Sequence, residues 1–348
     1  MTPQFIRQLA AAGASAPSPD NSQPWRLQWD GTALSLSYAE RHAGAGVFGP
    51  ASHATLLSMG ALMHNLDAAL AANGVAGAWR WGEDNGHPYA ALTPGALPAE
   101  FSVPADVFGR HTNRLPFRST PLPAALAATL AGSGDGGLRV AVLTEKAPKA
   151  RLVRLVRACS EARFCNRALH HWLFGSLRHT PQEVARGDGL DMRSLGLPPG
   201  GKQLMRFIAD WPRMARLNRF GAYKLLALSE TGLIAAAPAL LCVSGPADQR
   251  SVIAAGRLLA KVWTELNAQG LAVHPYYVVT DQLNRLHDGT LADGFGDRMG
   301  AAERELQALL DLREGQQLHM ILRVGYPRSV PVRSGRLPLE AVLVDAAS

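Results

Sequence analysis

Three cysteines in 348 residues are too few to build a disulfide framework. Cys159, Cys165 and Cys242 are odd in number and form no C-x-x-C pair, so no zinc site is indicated either. Charge is also sparse. Charged residues make up 18% of the chain against 47% apolar ones, which excludes a disordered, charge-solvated polymer. No apolar run is long enough to cross a membrane. H-E-x-x-H and G-x-S-x-G are both missing, and the adjacent His170 and His171 point different ways on a helix. Neither a metal centre nor a serine nucleophile is indicated.

What remains is expected to be a globular protein of the cytoplasm. The net charge of +7 is spread along the chain apart from a helical cluster at Arg151, Arg154, Arg157 and Arg163. That cluster reads as a solvated face, since no basic stripe is interleaved with aromatics; neither nucleic acid nor membrane is expected as a partner. Ala14-Ser15-Ala16 resembles a signal-peptidase site, but Arg7 and Gln8 break the apolar core such a signal needs. The segment reads instead as an amphipathic helix over 3–12.

An internal repeat organises the chain. Pro50 to Val75 aligns without a gap on Pro246 to Leu271, an offset of 196 residues. Gly60 faces Gly256, Leu62 faces Leu258, Leu70 faces Leu266 and Gly74 faces Gly270. Both stretches predict a long helix ending at glycine, with a mid-helix glycine that costs stability unless something packs closely there. Two such helices predict packing across a pseudo-twofold axis.

Further helices are predicted over 122–132, 147–175, 202–235 and 299–312. Strands are predicted at Ala33 to Tyr38, Leu138 to Leu143, Ala239 to Ser244 and His319 to Gly325. Gly82 to Pro104 reads as a linker and Gly187 to Gly201 as a long irregular loop of the kind that forms lids. The pattern predicts a layered α+β fold. Gly44 to Gly49 matches G-x-G-x-x-G, but Glu40-Arg41-His42 separates it from the strand and Pro50 follows it, so it is no dinucleotide turn.

The segment Ala16-Pro17-Ser18-Pro19-Asp20-Asn21-Ser22-Gln23-Pro24-Trp25 is a polar, proline-rich turn between a helix and a strand. Its order resembles the A-P-S-x-x-N-x-Q-P-W motif of nitroreductase-like flavoproteins. Arg110-His111-Thr112-Asn113-Arg114 resembles the R-x-S/T-x-R/K opening of that family. Arg333 and Arg336-Leu337-Pro338-Leu339-Glu340, after Gly325-Tyr326-Pro327, resemble its basic C-terminal segment. A guanidinium fork with short donors suits a phosphate dianion.

The resemblance implies a nitroreductase-like fold binding FMN, with NAD(P)H as possible electron donor. It implies Pro17, Ser18, Asn21 and Gln23 as FMN neighbours, Trp25 as packing, and Arg110, Thr112, Arg114, Arg333 and Arg336 as phosphate or ring contacts. The segment after the second long helix, including His274, Pro275, Tyr276 and Tyr277, is implied near the flavin ring. The motif order resembles a tandem, Acg-like subgroup. In that layout residues 1–104 form a first half lacking the basic opening. Residues 105–348 form a second half with a lid-like insertion at about 180–230. The two halves make an intrachain pseudo-dimer, each a mostly antiparallel or mixed sheet flanked by long helices. A monomer suffices, with further dimerisation left open. Two functions follow: an oxidoreductase passing hydride through FMN to a nitroaromatic, a quinone or a biosynthetic intermediate, or a catalytically silent FMN-sequestering protein with a closed lid. In either case the chemistry is flavin-based and no side chain is named as catalytic.

Overall fold

The computed structural model describes residues 3–39, 47–82, 89–96, 98 and 100–345. Helix α1 (Gln4–Ala14) is followed by a hairpin of β1 (Trp25–Trp29) and β2 (Leu34–Tyr38). Helix α2 (His53–Ala72) leads to β3 (Gly77–Trp81) and β4 (Ala90–Pro94). Short helices α3 (Ala105–Gly109) and α4 (Ala124–Ala131) precede β5 (Arg139–Leu143). A helical run follows: α5 (Lys146–Phe164), α6 (Arg167–Ser176), α7 (Pro181–Val184), α8 (Gly201–Ile208), α9 (Trp211–Arg219) and α10 (Ala222–Ala235). Within it lie two-residue strands β6 (Leu177–Arg178) and β7 (Leu190–Asp191). The chain continues through β8 (Ala239–Pro246), α11 (Gln249–Ala268), β9 (Ala272–Tyr276), α12 (Val278–His287), α13 (Gly296–Leu310), β10 (Gln316–Gly325) and β11 (Leu343–Asp345).

The α+β architecture holds two main sheets, and both repeat one plan. The first runs β11-β1-β2-β4-β3 and the second β5-β8-β10-β9. Leaving β11 aside, each joins its first strand to its second, its second to its fourth and its fourth to its third, all antiparallel. In each, the long helix connects the second strand to the third. The second sheet differs in having residues 144–238 between its first two strands, where the first has a hairpin. Strand β11 pairs parallel with β1, so a segment remote in sequence completes the first sheet.

Strand composition explains the layering. Along β1, Trp25, Leu27 and Trp29 are buried while Arg26 is exposed, the alternation of a sheet with one wet face. Strand β8 is buried almost throughout because both its faces are covered. Leu241 and Val243 enter the core shared with α2, α11 and the first sheet, whereas Leu240 and Cys242 enter a second core with α5, α12 and α13. A continuous apolar run is what such a strand needs.

Helices α2 and α11 have the same bounds under the 196-residue offset. Each is capped from the same relative position: Ser52 accepts from the Thr55 N–H and Asp248 from the Ser251 N–H. They pack backbone to backbone. A Cβ on Gly60 would overlap the Ile253 carbonyl, and a Cβ on Gly256 would overlap the Leu57 carbonyl. Under the offset Leu57 corresponds to Ile253, so the contact is reciprocal, as in an isologous interface.

Several expectations need correction. The helix predicted over 147–175 divides after Phe164, because the Asn166 side chain accepts from the Leu169 N–H and caps a new helix. The helix predicted over 202–235 is three, broken by Pro212 at the start of α9 and by Gly221 at φ 86°. The stretch 82–104 is not wholly a linker, since β4 lies in it and pairs with β2 and β3. The loop 187–201 contains β7 and a tight turn over Met192–Leu195. Arg151 and Arg163 are not simply solvated; they pair with Glu305 at 2.6 Å and Glu230 at 2.9 Å. Of the glycine-rich stretch 44–49, residues 44–46 lie outside the described residues.

Backbone atoms face both glycines, so no rotamer change makes room for a side chain. Gly60→Leu and Gly256→Leu are each expected to destabilise by about 1–3 kcal/mol or more, read as a fall of several degrees in melting temperature. Unchanged melting in both variants would contradict this packing.

Candidate functional site

The loop after α1 is held in an unfavourable backbone conformation. Asp20, Asn21 and Gln23 have φ of 45°, 58° and 51°, left-handed values that cost of order 1 kcal/mol or more each. Local and distant hydrogen bonds hold them there. The Ser18 hydroxyl accepts from the Gln23 N–H at 2.9 Å. The Asn21 amide donates to the Gly187, Gly189 and Gly335 carbonyls at 3.1, 3.1 and 3.2 Å, and its oxygen accepts from Arg336 at 3.0 Å. Gln23 donates to the Gly187 carbonyl and accepts from the Leu337 N–H, both at 3.0 Å. Gly187, at φ 82°, approaches the Arg336 backbone where no Cβ would fit. Three segments far apart in sequence are thereby pinned together.

Residues 110–114 are clamped just as firmly. The Asn113 N–H donates to the Val273 carbonyl at 2.8 Å, and the His111 N–H donates to the Asn267 side chain at 2.7 Å. Trp263 on α11 donates to the His111 carbonyl at 2.9 Å, and the Arg110 guanidinium lies over its ring at 4.7 Å. From β10, the fully buried Arg323 donates to the Asn113 and Leu115 carbonyls at 3.0 and 2.9 Å.

These segments enclose a cavity of about 690 Å³, within the range of cofactor sites. Pro17, Ser18, Asn21, Arg110, Thr112, Arg114, Pro275, Tyr276, Arg333 and Arg336 all line it, as do His274 and Tyr277. Gln23 does not. Although the motif implied it as a cofactor neighbour, it is fully buried and acts as the clamp described above. Trp25 is fully buried in the core, as expected. The α2 and α11 faces supply one wall, through residues such as Leu57 and Leu259, and helices α8 to α10 supply a roof through Met205, Ile208, Met214 and Leu226. The motifs did not reveal Trp263, which sits inside the repeat and reads there as core packing. Nor did they reveal Asp20, whose carboxylate accepts from the Trp172 indole at 2.9 Å.

One end of the cavity is strongly positive. Arg110 and Arg336 both donate to the Ser15 carbonyl, at 3.1 and 2.7 Å. Burial, then Arg336, then Arg333, push the Arg110 pKa well below its ordinary value. Burial pushes Arg336 down to about 10. Among the described residues none of the three is in an ion pair, and the Nε of Arg110 and of Arg336 are buried without hydrogen-bond partners. Converging guanidiniums with spare donors and no carboxylate form an anion site. Further along, burial also lowers Arg114, with Asp20 and Tyr276 opposing.

Beyond Tyr277, a partly buried polar chain leaves the cavity. The Tyr277 hydroxyl lies 3.2 Å from His53 Nδ1, and His53 Nε2 lies 3.0 Å from His319 Nδ1. Burial, then His319, hold His53 down to about 3, and burial holds His319 down to about 4, so both imidazoles are neutral near pH 7.

No family model matches the sequence. An uncharacterised protein from Mycobacterium tuberculosis (strain CDC 1551 / Oshkosh) is 26% identical over 328 residues, covering 90% of this chain and 44% of the relative. The chain thus spans less than half the length of the curated relative it matches. Among solved structures, a nitroreductase with bound FMN from Bacteroides fragilis is 10% identical, covering 69% of this chain and 96% of its own, with a TM-score of 0.37. An FMN-dependent nitroreductase from Mycobacterium smegmatis, in complex with NADPH, is 18% identical over 68% of this chain and 94% of its own, also with a TM-score of 0.37.

The neutral histidines set a pH window. Each is protonated in the unfolded chain below its ordinary pKa of 6.5 but resists protonation in the fold down to about 3 or 4. Stability is therefore full above that ordinary value and falls as pH drops through the window. At pH 5 each site is expected to have lost about 2 kcal/mol. His319→Gln should show a smaller drop in melting temperature between pH 7 and pH 5 than the parent; an equal drop would assign the acid sensitivity elsewhere.

Proposed function

We propose that this chain is an FMN-binding oxidoreductase of the nitroreductase type, in which two related halves form an intrachain pseudo-dimer around one cofactor. The observation that carries the reading is the convergence of Arg110, Arg333 and Arg336, without counter-charge, on the cavity that the A-P-S loop also enters. A phosphate dianion would satisfy the unpartnered guanidinium nitrogens. The rest of the cavity, walled by Leu57, Leu259 and Tyr276, suits a flat apolar ring.

In this reading Arg110, Arg333 and Arg336 hold the phosphate. Pro17, Ser18 and Asn21 fix the loop against the flavin, with Gln23 locking that loop from behind. Thr112 and Arg114 meet the polar edge of the cofactor, and Pro275 and Tyr276 border the ring. When bound, FMN supplies the hydride and electron transfer, with NAD(P)H as donor and a small organic acceptor. The chain's own work is to orient the ring and exclude water through the roof of α8 to α10.

The two halves are assigned as residues 1–104 and 105–348, with the lid at about 180–230. Their matching strand order, helix bounds and reciprocal glycine contact support that division. They also support a single site. Under the 196-residue offset, Asp67 corresponds to Trp263 and Arg257 to Ala61. Arg257 pairs with Asp67 at 2.8 Å, and Trp79 donates to the same carboxylate at 2.7 Å. These side chains fill the position of the cavity wall on the other side of the axis.

The purified protein is expected to carry close to one FMN per chain, measured by extracting and counting the flavin; two per chain would overturn the single-site assignment. Arg110→Ala and Arg336→Ala should each weaken FMN binding by about ten- to a hundredfold. Unaltered affinity in both would move the phosphate elsewhere. The α8 to α10 side chains that line the cavity leave a storage role as the second reading, and anaerobic NADPH or NADH separates the two. Rapid bleaching is expected of the oxidoreductase, whereas a flavin reduced only by dithionite would leave sequestration as the function.

A further inference from the structure

The helices that roof the cavity carry apolar side chains on their outer side as well. Phe220 is 90% exposed, Leu225 71% and Phe207 50%, with Leu204 and Leu228 close to half. Leu204 and Phe207 stand three residues apart on α8, as do Leu225 and Leu228 on α10, so each pair shares a helix face. Phe220, the most exposed, sits at the turn between α9 and α10, followed by Gly221 in a left-handed conformation.

Charge on this roof has one sign. Lys202, Arg206, Arg213, Arg216, Arg219 and Lys224 are all exposed, and Arg213, Arg216 and Arg219 repeat at every third position along α9. Between 201 and 228 Asp210 is the only acidic residue, and its carboxylate caps α9. Among the described residues none of the six cations is in an ion pair. A solvated face would intersperse both signs and hide its phenylalanines. A second copy of the chain would oppose like charge with like charge across a twofold interface.

We propose that α8 to α10 dock on an anionic lipid surface, with Phe207, Phe220 and Leu225 entering the headgroup boundary and the six cations lying among the phosphates. Large apolar tips bordered by Lys and Arg, with acids almost absent, are the features of helices that lie in a membrane interface. No helix among the described residues is long and apolar enough to cross the bilayer, and the proposed contact is through the surface of α8 to α10. A membrane partner, not expected from the sequence, leaves no long apolar run to mark it when the apolar tips are scattered over separate helices. This face is assembled from three short helices and has none. The proposal does not depend on which ligand fills the cavity.

Co-sedimentation of the full chain with vesicles tests it, followed by protein rather than by flavin. The chain is expected to bind vesicles of phosphatidylcholine mixed with phosphatidylglycerol at least about tenfold better than phosphatidylcholine alone, and to be released by high salt. Phe220→Ser/Leu225→Ser should lose most of this binding while melting like the parent, since neither residue is in a core cluster. Arg216→Glu/Arg219→Glu should lose it too. Failure to bind anionic vesicles overturns the proposal, as does equal binding by parent and both variants. So does a dimer in light scattering that Phe220→Ser/Leu225→Ser dissociates, because the face would then be covered by a second copy.

Discussion

Gly60 lies against the Ile253 carbonyl and Gly256 against the Leu57 carbonyl, and this pair of contacts sets the separation of α2 and α11. The two helices share one core with both sheets, so their spacing fixes the sheets too. It also fixes the cavity, whose wall is made of Leu57 from one helix and Leu259 from the other. A methyl group at either glycine would push against a carbonyl, and the displacement would be passed to each element that leans on the pair.

The positive end of the cavity depends on a different balance. Arg110 and Arg336 are both anchored to one carbonyl, that of Ser15, at the C-terminal end of α1. That helix end is negative by its dipole and holds the guanidiniums without neutralising them. The remaining repulsion is left for a ligand to relieve. The cost of assembling the cations is met by packing elsewhere, including the Trp263 ring under Arg110.

The helices α2 and α11 and many of the residues that line the cavity were legible in the sequence because these depend on local composition. Glycines at one position in two apolar helices are visible without coordinates, and so is an ordered polar loop such as 16–25. What was not legible depends on tertiary partners. Strand β4 is short and lies in Gly- and Pro-rich surroundings, so only its pairing with β2 and β3 reveals it. The breaks at Asn166 and Gly221 come from single residues whose capping or left-handed role competes with a continuing apolar pattern. Gln23 carries the signature of a cofactor contact, yet its amide is taken by Gly187 and Leu337, partners more than 160 residues away. The His53–His319 contact likewise joins positions 266 residues apart, and no spacing rule reaches that far.

Strand β11 has a consequence for how the molecule is made. Its three residues cover the outer edge of β1, parallel and in register from Leu27↔Leu343 to Trp29↔Asp345. During synthesis that edge waits, with its backbone donors and acceptors open, while about 300 further residues emerge at roughly 5–20 per second. For some tens of seconds the first sheet is therefore a nearly finished template lacking one strand, the state in which an edge recruits foreign chains. The order of translation thus exposes β1 to mispairing at a time when the rest of its sheet can already be in place. A chaperone that covers a single strand edge would be of most use to this protein between the birth of Trp29 and that of Leu343.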